Sequence, residues 1–417
     1  MSRALPSAHL LTFALTLASM AALLWRPWRL PEFIWPLATA LLLVLAGVLP
    51  MRAAWQAMGE GLDVYLFLIG MMLLAEVARH EGLFDWLAAR AVARANGSGQ
   101  RLFDLLYGVA IGVTVLLSND ATAVVMTPAV YAATRRARVE PLPYLLICAF
   151  VANAASFVLP ISNPANLVIF GHAMPPLPQW LARFGLPSLA AIALTYLALR
   201  LSQRRHLRLP VTEGAAPPRL SLAGKLAALG LGLTAVGLVV VSFMGGALGL
   251  PTLLASLATL ALVATAQRRW PRAELRGVSW GVLPLVAALF VLVEAVQRTG
   301  ALAQLAQQLH GVAATYPTLA PWVAGLGAAL ASNLANNLPV GLAAGTLPTL
   351  APLPPSTVAA LAVGVDLGPN LSITGSLATL LWLTALRREG LHISAGRFLL
   401  LGAWVMPPAL LAALALL

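Results

Sequence analysis

The chain reads as an all-α polytopic membrane protein made of two inverted repeats, each of about five transmembrane helices plus one re-entrant hairpin. Three observations predict this. Of its 417 residues, 60% are hydrophobic and only 10% are charged, with a mean hydropathy of +0.86, well above the apolar content of soluble domains. Many windows reach the roughly 20 apolar residues that span a bilayer. Short polar stretches broken by Gly and Pro recur at matching places in the two halves, a transporter pattern.

The elements follow in order. Arg3 precedes an apolar run from Leu10 to Leu24 that ends in Trp25-Arg26-Pro27-Trp28-Arg29. No small-residue cleavage site closes the run, so it reads as a first membrane helix and not a signal peptide. Apolar segments fall near 8–25, 31–50, 60–79, 102–117, 121–134, 142–160, 164–173 and 180–200. Beyond a basic linker at 201–220 they resume near 221–241, 247–267, 278–297, 318–333, 338–350, 355–367, 373–386 and 395–416. The expected units are an N-terminal repeat at 1–200 and a C-terminal repeat at 221–417.

The repeat is visible in three blocks. Glu76 through Gly82 aligns with Glu294 through Gly300, Asn119-Asp120 falls against Asn336-Asn337, and Ser162–Asn166 falls near Thr374–Ala378. Between spans and hairpins, residues 83–96 and 301–314 read as interfacial amphipathic helices.

The net charge of +12 is gathered in short loops: Arg135, Arg136 and Arg138; Arg200, Arg204, Arg205 and Arg208; Arg268, Arg269, Arg272 and Arg276; Arg387 and Arg388. This is the positive-inside pattern, which makes those loops cytoplasmic. No basic helix interleaved with aromatics appears, so nucleic acid is not an expected partner. Segment 102–134 has basic residues on both flanks, which predicts a hairpin that enters and leaves from the cytoplasm with Ser118-Asn119-Asp120 at its tip. The weakly charged flanks of 318–350 predict a second hairpin entering from outside. Two hairpins leave an odd number of spans per half, so the second half inverts and both termini lie outside. Twelve full crossings would instead put a basic cluster outside.

Cys148 is the only cysteine, which excludes an intramolecular disulfide, a thiolate zinc site or a three-thiolate metalloid trap. There is no Walker A loop, no His-Glu-x-x-His and no dinucleotide glycine pattern. No catalytic residue, metal or cofactor is expected, and any transport is driven by an ion gradient, a separate subunit or diffusion.

Four polar breaks carry the chemistry, at 118–120, 162–166, 332–337 and 366–376. A helix broken within the bilayer leaves backbone groups seeking partners, and it is tolerated where it lines a cavity. The candidate substrate-binding residues are Ser118, Asn119, Asn163, Asn166, Asn336, Asn337, Thr374 and Ser376, since amides and hydroxyls suit a neutral polyhydroxy solute. Asp120 and Asp366 are the candidate proton-coupling residues, because an intramembrane carboxylate marks an ion or proton path. Ser, Thr and Asn in membrane helices also serve as interhelical glue.

The blocks Ser118-Asn119-Asp120-Ala121-Thr122-Ala123, Asn336-Asn337-Leu338-Pro339 and Gly364-Val365-Asp366-Leu367-Gly368-Pro369, with Gly375 through Trp382, resemble those of ArsB-type arsenite efflux carriers of the ion-transporter superfamily. The likeness runs from about residue 35 to the C-terminus. It implies export of arsenite and antimonite in exchange for protons, an inverted-repeat fold with two re-entrant hairpins, and residence as a multi-pass protein of the inner membrane. Members act alone or with a soluble arsenite-stimulated ATPase. Asn119, Asp120, Asn336, Asn337 and Asp366 occupy the family's polar positions. Val365 and Asn370 depart from the Cys and Lys often found there, which weakens any thiol-based recognition. Alternatives are a sodium/proton antiporter of the same superfamily and a passive channel. A carboxylate importer would carry a Ser-Asn-Thr pair in both halves, which is not seen.

Overall fold

The computed structural model describes residues 6–25, 28, 30–212 and 219–417. Helices dominate, and the described residues form no strand beyond one isolated bridge between Ser98 and Pro210. Among the described residues, six helices are long and apolar enough to cross a bilayer, or seven if a pair bent by 50° counts as one span. This is an all-α polytopic membrane protein.

The first half runs α1 (Pro6–Trp25), α2 (Ile34–Leu45), α3 (Met51–Glu60), α4 (Leu62–His80), α5 (Leu83–Arg94) and α6 (Gly99–Leu116). Next come α7 (Asn119–Ala121), a π-helical turn at Thr122–Met126, α8 (Thr127–Arg136), α9 (Leu142–Ala154), α10 (Pro164–Phe170), α11 (Leu177–Ser202) and the short α12 (Arg204–Leu207). The second half runs α13 (Leu222–Phe243), α14 (Gly249–Gln267), α15 (Arg272–Gly277), α16 (Val282–Arg298), α17 (Ala301–Thr315), α18 (Ala320–Ala335), α19 (Asn337–Leu350), α20 (Pro355–Leu367), α21 (Leu377–Arg388) and α22 (Ala395–Ala415). Short helices α3 and α15, placed alike before α4 and α16, went unread in the sequence. The amphipathic stretches form α5 and α17. Residues 213–218 of the expected linker lie outside the described residues.

Burial follows the rule for lipid as solvent, with small residues inside and bulky ones out. On α13 the buried face carries Ala223, Gly224, Ala227, Gly230 and Thr234, while Leu229, Leu233, Val236 and Val240 are exposed. Serine side chains cap the helices that start at loops: Ser98 accepts from Arg101 N (3.3 Å), Ser221 from Gly224 N (2.9 Å) and Ser394 from Arg397 N (3.2 Å), each satisfying a free backbone donor.

Each half packs against the other through its first helices. Helix α14 lies parallel to α4, with Gly249 N on Asp63 Oδ1 (2.8 Å) at one end and Gln267 Nε2 on Glu81 Oε2 (2.6 Å) at the other. Between these ends, a Cβ on Gly70 would lie 2.8 Å from Leu253 N. In the same manner Phe33, just before α2, meets Gly281, just before α16.

Two helical hairpins sit within these frames. Helices α6 and α9 run parallel, since Tyr144 Oη donates to Gly99 O (3.3 Å) at their starts and Ser162 Oγ donates to Val115 O (3.2 Å) beyond their far ends. The chain between them returns through α7 and α8. Val211 N donates to Gly97 O (2.9 Å) and Thr212 N to Ala137 O (3.0 Å). Consecutive residues therefore hold both ends of the 99–136 segment at one place.

Helices α18 and α20 repeat the arrangement. A Cβ on Gly364 would meet Gly325 O at 2.2 Å and one on Gly368 would meet Ala329 Cα at 2.4 Å, so the two helices run parallel and α19 returns between them. Finally, the broken stretch after α20 runs antiparallel to that after α9. Asn163 bonds Asp366 (2.6 Å), Asn153 bonds Asn370 (3.0 Å) and Trp382 Nε1 bonds Leu145 O (2.8 Å).

Candidate functional site

The tip of the first hairpin is built from its hydroxyls and amides. Helix α6 stops at Leu116, and Ser118 is extended, with its Oγ accepting from Ala121 N (3.2 Å) to start the return helix. Asn119 Oδ1 accepts from Asp120 N (2.8 Å), and Thr122 Oγ1 pairs with Thr114 Oγ1 (2.8 Å). One turn later the helix widens into the π-helical turn at 122–126, a feature frequent at functional sites. Ser118 and Asn119 are buried, while Asp120 keeps partial exposure.

The second hairpin has its tip at Asn336, whose φ of +73° is a conformation that Asn tolerates better than most residues. Its Oδ1 accepts from Leu338 N (3.4 Å), its Nδ2 donates to Thr374 O (3.3 Å), and Asn337 N donates to Gly375 O (2.8 Å). The loop after α20 is thereby tied to the tip. Asn333 tightens this knot, with its Nδ2 on Gly368 O (2.9 Å) and its Oδ1 accepting from Ser372 Oγ (2.6 Å). Gly375 has to be a glycine here, because a Cβ would lie 2.6 Å from Pro369 Cα.

The two broken stretches meet at Asn163, the N-cap of α10. Its Oδ1 accepts from Ala165 N (3.0 Å) and its Nδ2 donates to Asp366 Oδ1 (2.6 Å). Ser156 and Asn166 flank the same carboxyl, and Asn166 Nδ2 donates to Ser156 O (2.9 Å). Ser376 caps α21 through Thr379 N (3.1 Å). Asn370 Nδ2 donates to Phe150 O (3.0 Å) and its Oδ1 accepts from Asn153 Nδ2 (3.0 Å). A buried polar group without such partners costs roughly 1–3 kcal/mol, so these pairings are what permit broken backbone at this depth. Counted from the ends of α9 and α20, Asn153 corresponds to Asp366, Asn163 to Ser376 and Asn166 to Thr379, each pair 213 residues apart.

Three small cavities adjoin at this centre. The middle one, about 20 Å³, is lined by Asn119, Asp120, Asn163 and Asn337, with Leu68, Val282 and Leu377 among its apolar walls. A second, about 50 Å³, shares Asp120 and extends past Ser118 and Met71 to Glu76 and Gly277. The third, about 10 Å³, lies on another side between Asn336 and Glu32. The middle one has room for about one water molecule. Among the described residues, no Arg or Lys lines any of the three.

The ten residues singled out in the sequence thus fall into two groups. Asn119, Asp120, Asn163 and Asn337 share the middle cavity, and Ser118 and Asn336 line the flanking ones. Asp366, Asn166 and Ser376 are fully buried behind them, and the Thr374 hydroxyl turns away to Asn333 O (3.1 Å). Asn153, Asn333 and Thr379 were not singled out. Asn153 was legible as the lone amide of an apolar run; Asn333 looked like part of a long polar break.

A charged cluster lies apart from these cavities. Arg269 donates to Glu81 Oε1 (3.0 Å) and Glu274 Oε1 (2.5 Å), beside His80. The bond to Glu274, followed by the Coulombic pull of the same residue and by Glu81, holds its guanidinium above the ordinary range. Ligand atoms of His80, Glu81 and Glu274 lie within 4.8 Å of one another, but Arg269 already supplies the cation between the carboxylates.

Comparison with known proteins places these features in context. The profile of the citrate transporter family, CitMHS, matches residues 20–364. The arsenical pump membrane protein of Escherichia coli K12 is 28% identical over 98% of each chain. An uncharacterized transporter of Mycobacterium tuberculosis, Rv2685, is 28% identical over 88% of this chain and 89% of its own. Among solved structures, the Alcanivorax borkumensis YdaH transporter superposes with a TM-score of 0.57 at 18% identity, over 87% of this chain and 86% of that one. That likeness extends to the fold alone.

Proposed function

Since the chain belongs to the citrate transporter family and is a multi-pass secondary transporter, not an enzyme, we propose that it exports arsenite and antimonite from the cytoplasm in exchange for protons. The observation that carries this reading is the middle cavity, lined among the described residues by three asparagines and one carboxylate with no cationic side chain. Arsenite near neutral pH is mostly an uncharged triol, which amides can bind by donating and accepting hydrogen bonds. A citrate trianion would face Asp120 with no Arg or Lys among the described lining residues to offset its charge, a desolvated like-charge contact that costs several kcal/mol. The full-length relatives named as arsenical pumps point the same way.

In this reading Ser118, Asn119, Asn163, Asn336 and Asn337 hold the triol. Asn166, Thr374 and Ser376 keep the broken ends in place. Asp120, which the cavities reach, takes up a proton from outside as the metalloid leaves. Asp366, sealed behind Asn163, serves as the second titrating site. The segments at 99–136 and 320–350 act as re-entrant hairpins of two inverted repeats. The shared anchor of Gly97 and Ala137, the parallel pairing of α18 with α20 and the antiparallel broken stretches support that topology. Because the middle cavity is smaller than the metalloid, the hairpin tips must part from α4 and α16 for passage, giving alternating access. A soluble arsenite-stimulated ATPase is a further proposed partner, tested by whether added ATPase changes the rate.

The test is arsenite uptake into everted vesicles with wild type or Asp120→Asn, with and without an imposed proton gradient. Gradient-driven accumulation that the substitution abolishes supports the reading. Citrate movement, or sodium-driven proton movement with no arsenite transport, would overturn it.

A further inference from the structure

One cavity joins Asp120 to a second carboxylate that the transport scheme does not use. The 50 Å³ cavity is lined at one end by Ser118 and Asp120 and at the other by Glu76 and Gly277. Among the described residues, Asp120 and Glu76 are its only titratable lining residues. Glu76 is 6% exposed. It is held by Arg79, whose Nη2 lies 2.6 Å from Glu76 Oε2 and whose side chain is 43% exposed. The cavity therefore runs from the hairpin tip to an ion pair with one face in solvent.

That end is the cytoplasmic one by charge. Arg79, Arg90, Arg94 and Arg101 follow Glu76 in the chain, and Arg268, Arg269, Arg272 and Arg276 precede Gly277. The fold brings these two basic stretches together, as the Arg269 bridge to Glu81 also shows. Positive-inside asymmetry assigns both to the cytoplasm. The cavity that both carboxyls line has room for about three waters, enough for a hydrogen-bonded chain.

We propose that Glu76 relays the exchanged proton between Asp120 and the cytoplasm. This rests on the exporter reading and deepens it. The protonated Asp120 carboxyl gives its proton through the cavity to the Glu76 carboxylate, leaving Asp120 ionised and Glu76 neutral. Glu76 then passes the proton to cytoplasmic water and re-forms its pair with Arg79. The groups facing Glu76 are few. Arg79 lies on its own helix, Gly277 faces it from α15 with only backbone and no charge, and Asp120 faces it across the cavity. Asp85 on α5 acts on Arg79. A Cβ on Gly277 would lie 2.1 Å from Glu76 Oε2, so an alanine there displaces the carboxylate end of Glu76.

The experiment uses the full chain in proteoliposomes, with a pH dye inside, arsenite as substrate and pH varied on the side facing Glu76. Three variants are compared with wild type: Glu76→Gln, Glu76→Asp and Gly277→Ala. The last displaces the Glu76 carboxylate from its present seat without removing a titratable group. Glu76→Gln should lower arsenite-coupled proton flux about tenfold or more, as expected for a lost acid–base group. It should also flatten the pH response, while arsenite–arsenite counterflow, which needs no net proton movement, falls far less. Glu76→Asp should recover part of the flux, and Gly277→Ala should behave like Glu76→Gln. Coupled flux and pH response unchanged in both Glu76→Gln and Gly277→Ala would overturn the relay alone. Equal loss of counterflow and coupled flux in all three variants would also overturn it, in favour of a structural role. Wild type without arsenite-coupled proton flux would overturn the exporter reading and the relay together.

Discussion

Gly364→Ala tests whether the seat of the second broken stretch depends on backbone contact between α18 and α20. A methyl there would lie 2.2 Å from Gly325 O, where ordinary contact begins at 3.4 Å, so the helices would have to part by about 1.2 Å. Overpacking of this kind costs about 1–3 kcal/mol. The upper end applies because the obstacle is backbone and cannot rotate away. Replacing a helical glycine by alanine returns about 0.5–1 kcal/mol, leaving a net loss near 2 kcal/mol. Gly327→Ala is the internal control: it lies on the same pair's exposed face, with nothing within 4 Å of its Cβ. That variant should keep only the gain, so the two differ by about 3 kcal/mol. Thermal unfolding of the purified protein in one detergent reads this directly, with Gly364→Ala melting below wild type and Gly327→Ala at or above it. Transport should fall in the first variant only, because Asp366 lies two residues beyond the contact. Equal melting of the two variants would refute the reasoning.

Three further outcomes follow from the polar contacts. Asn163→Ala removes both the cap of α10 and the donor on Asp366, so it should lower stability by about 2–4 kcal/mol, read as loss of folded protein on detergent melting. Asn370→Ala and Asn153→Ala should each destabilise, but the double variant should cost less than their sum by about 0.5–1.5 kcal/mol, measured in a four-protein melting cycle. Arg269→Ala leaves Glu81 and Glu274, 5% and 1% exposed as side chains, without their cation. The expected loss is about 2–3 kcal/mol, below the value for a fully buried pair because Arg269 is a third exposed. Faster protease cleavage in the 268–277 loop would check it.

How much of this was legible depends on the range of the signal. Apolar run length and loop arginines are local, so membrane class, most of the apolar helices and the basic loops between them could be read residue by residue. The candidate site was also largely legible. An asparagine or aspartate within a hydrocarbon segment is costly unless it has a partner, so Asn119, Asp120, Asn163, Asn336 and Asn337 stood out against their surroundings. Residues 51–60 and 272–277 were missed for the opposite reason. Neither helix is long or apolar enough to register, and each is held by the helix it lies against.

Only the tertiary structure decided which polar residues share a space. Asp120 and Asp366 look alike in sequence, yet one lines two cavities while the other is sealed behind Asn163, because antiparallel broken stretches press Asn163 onto Asp366. Glu76 shows in the sequence only as part of an aligned block, whereas the fold sets Gly277 against it and opens a cavity that it shares with Asp120. Hydropathy and charge are properties of single residues and determine what the chain must dissolve in. Pairing across 200 residues is a property of packing, and it determines which carboxylate can meet a proton.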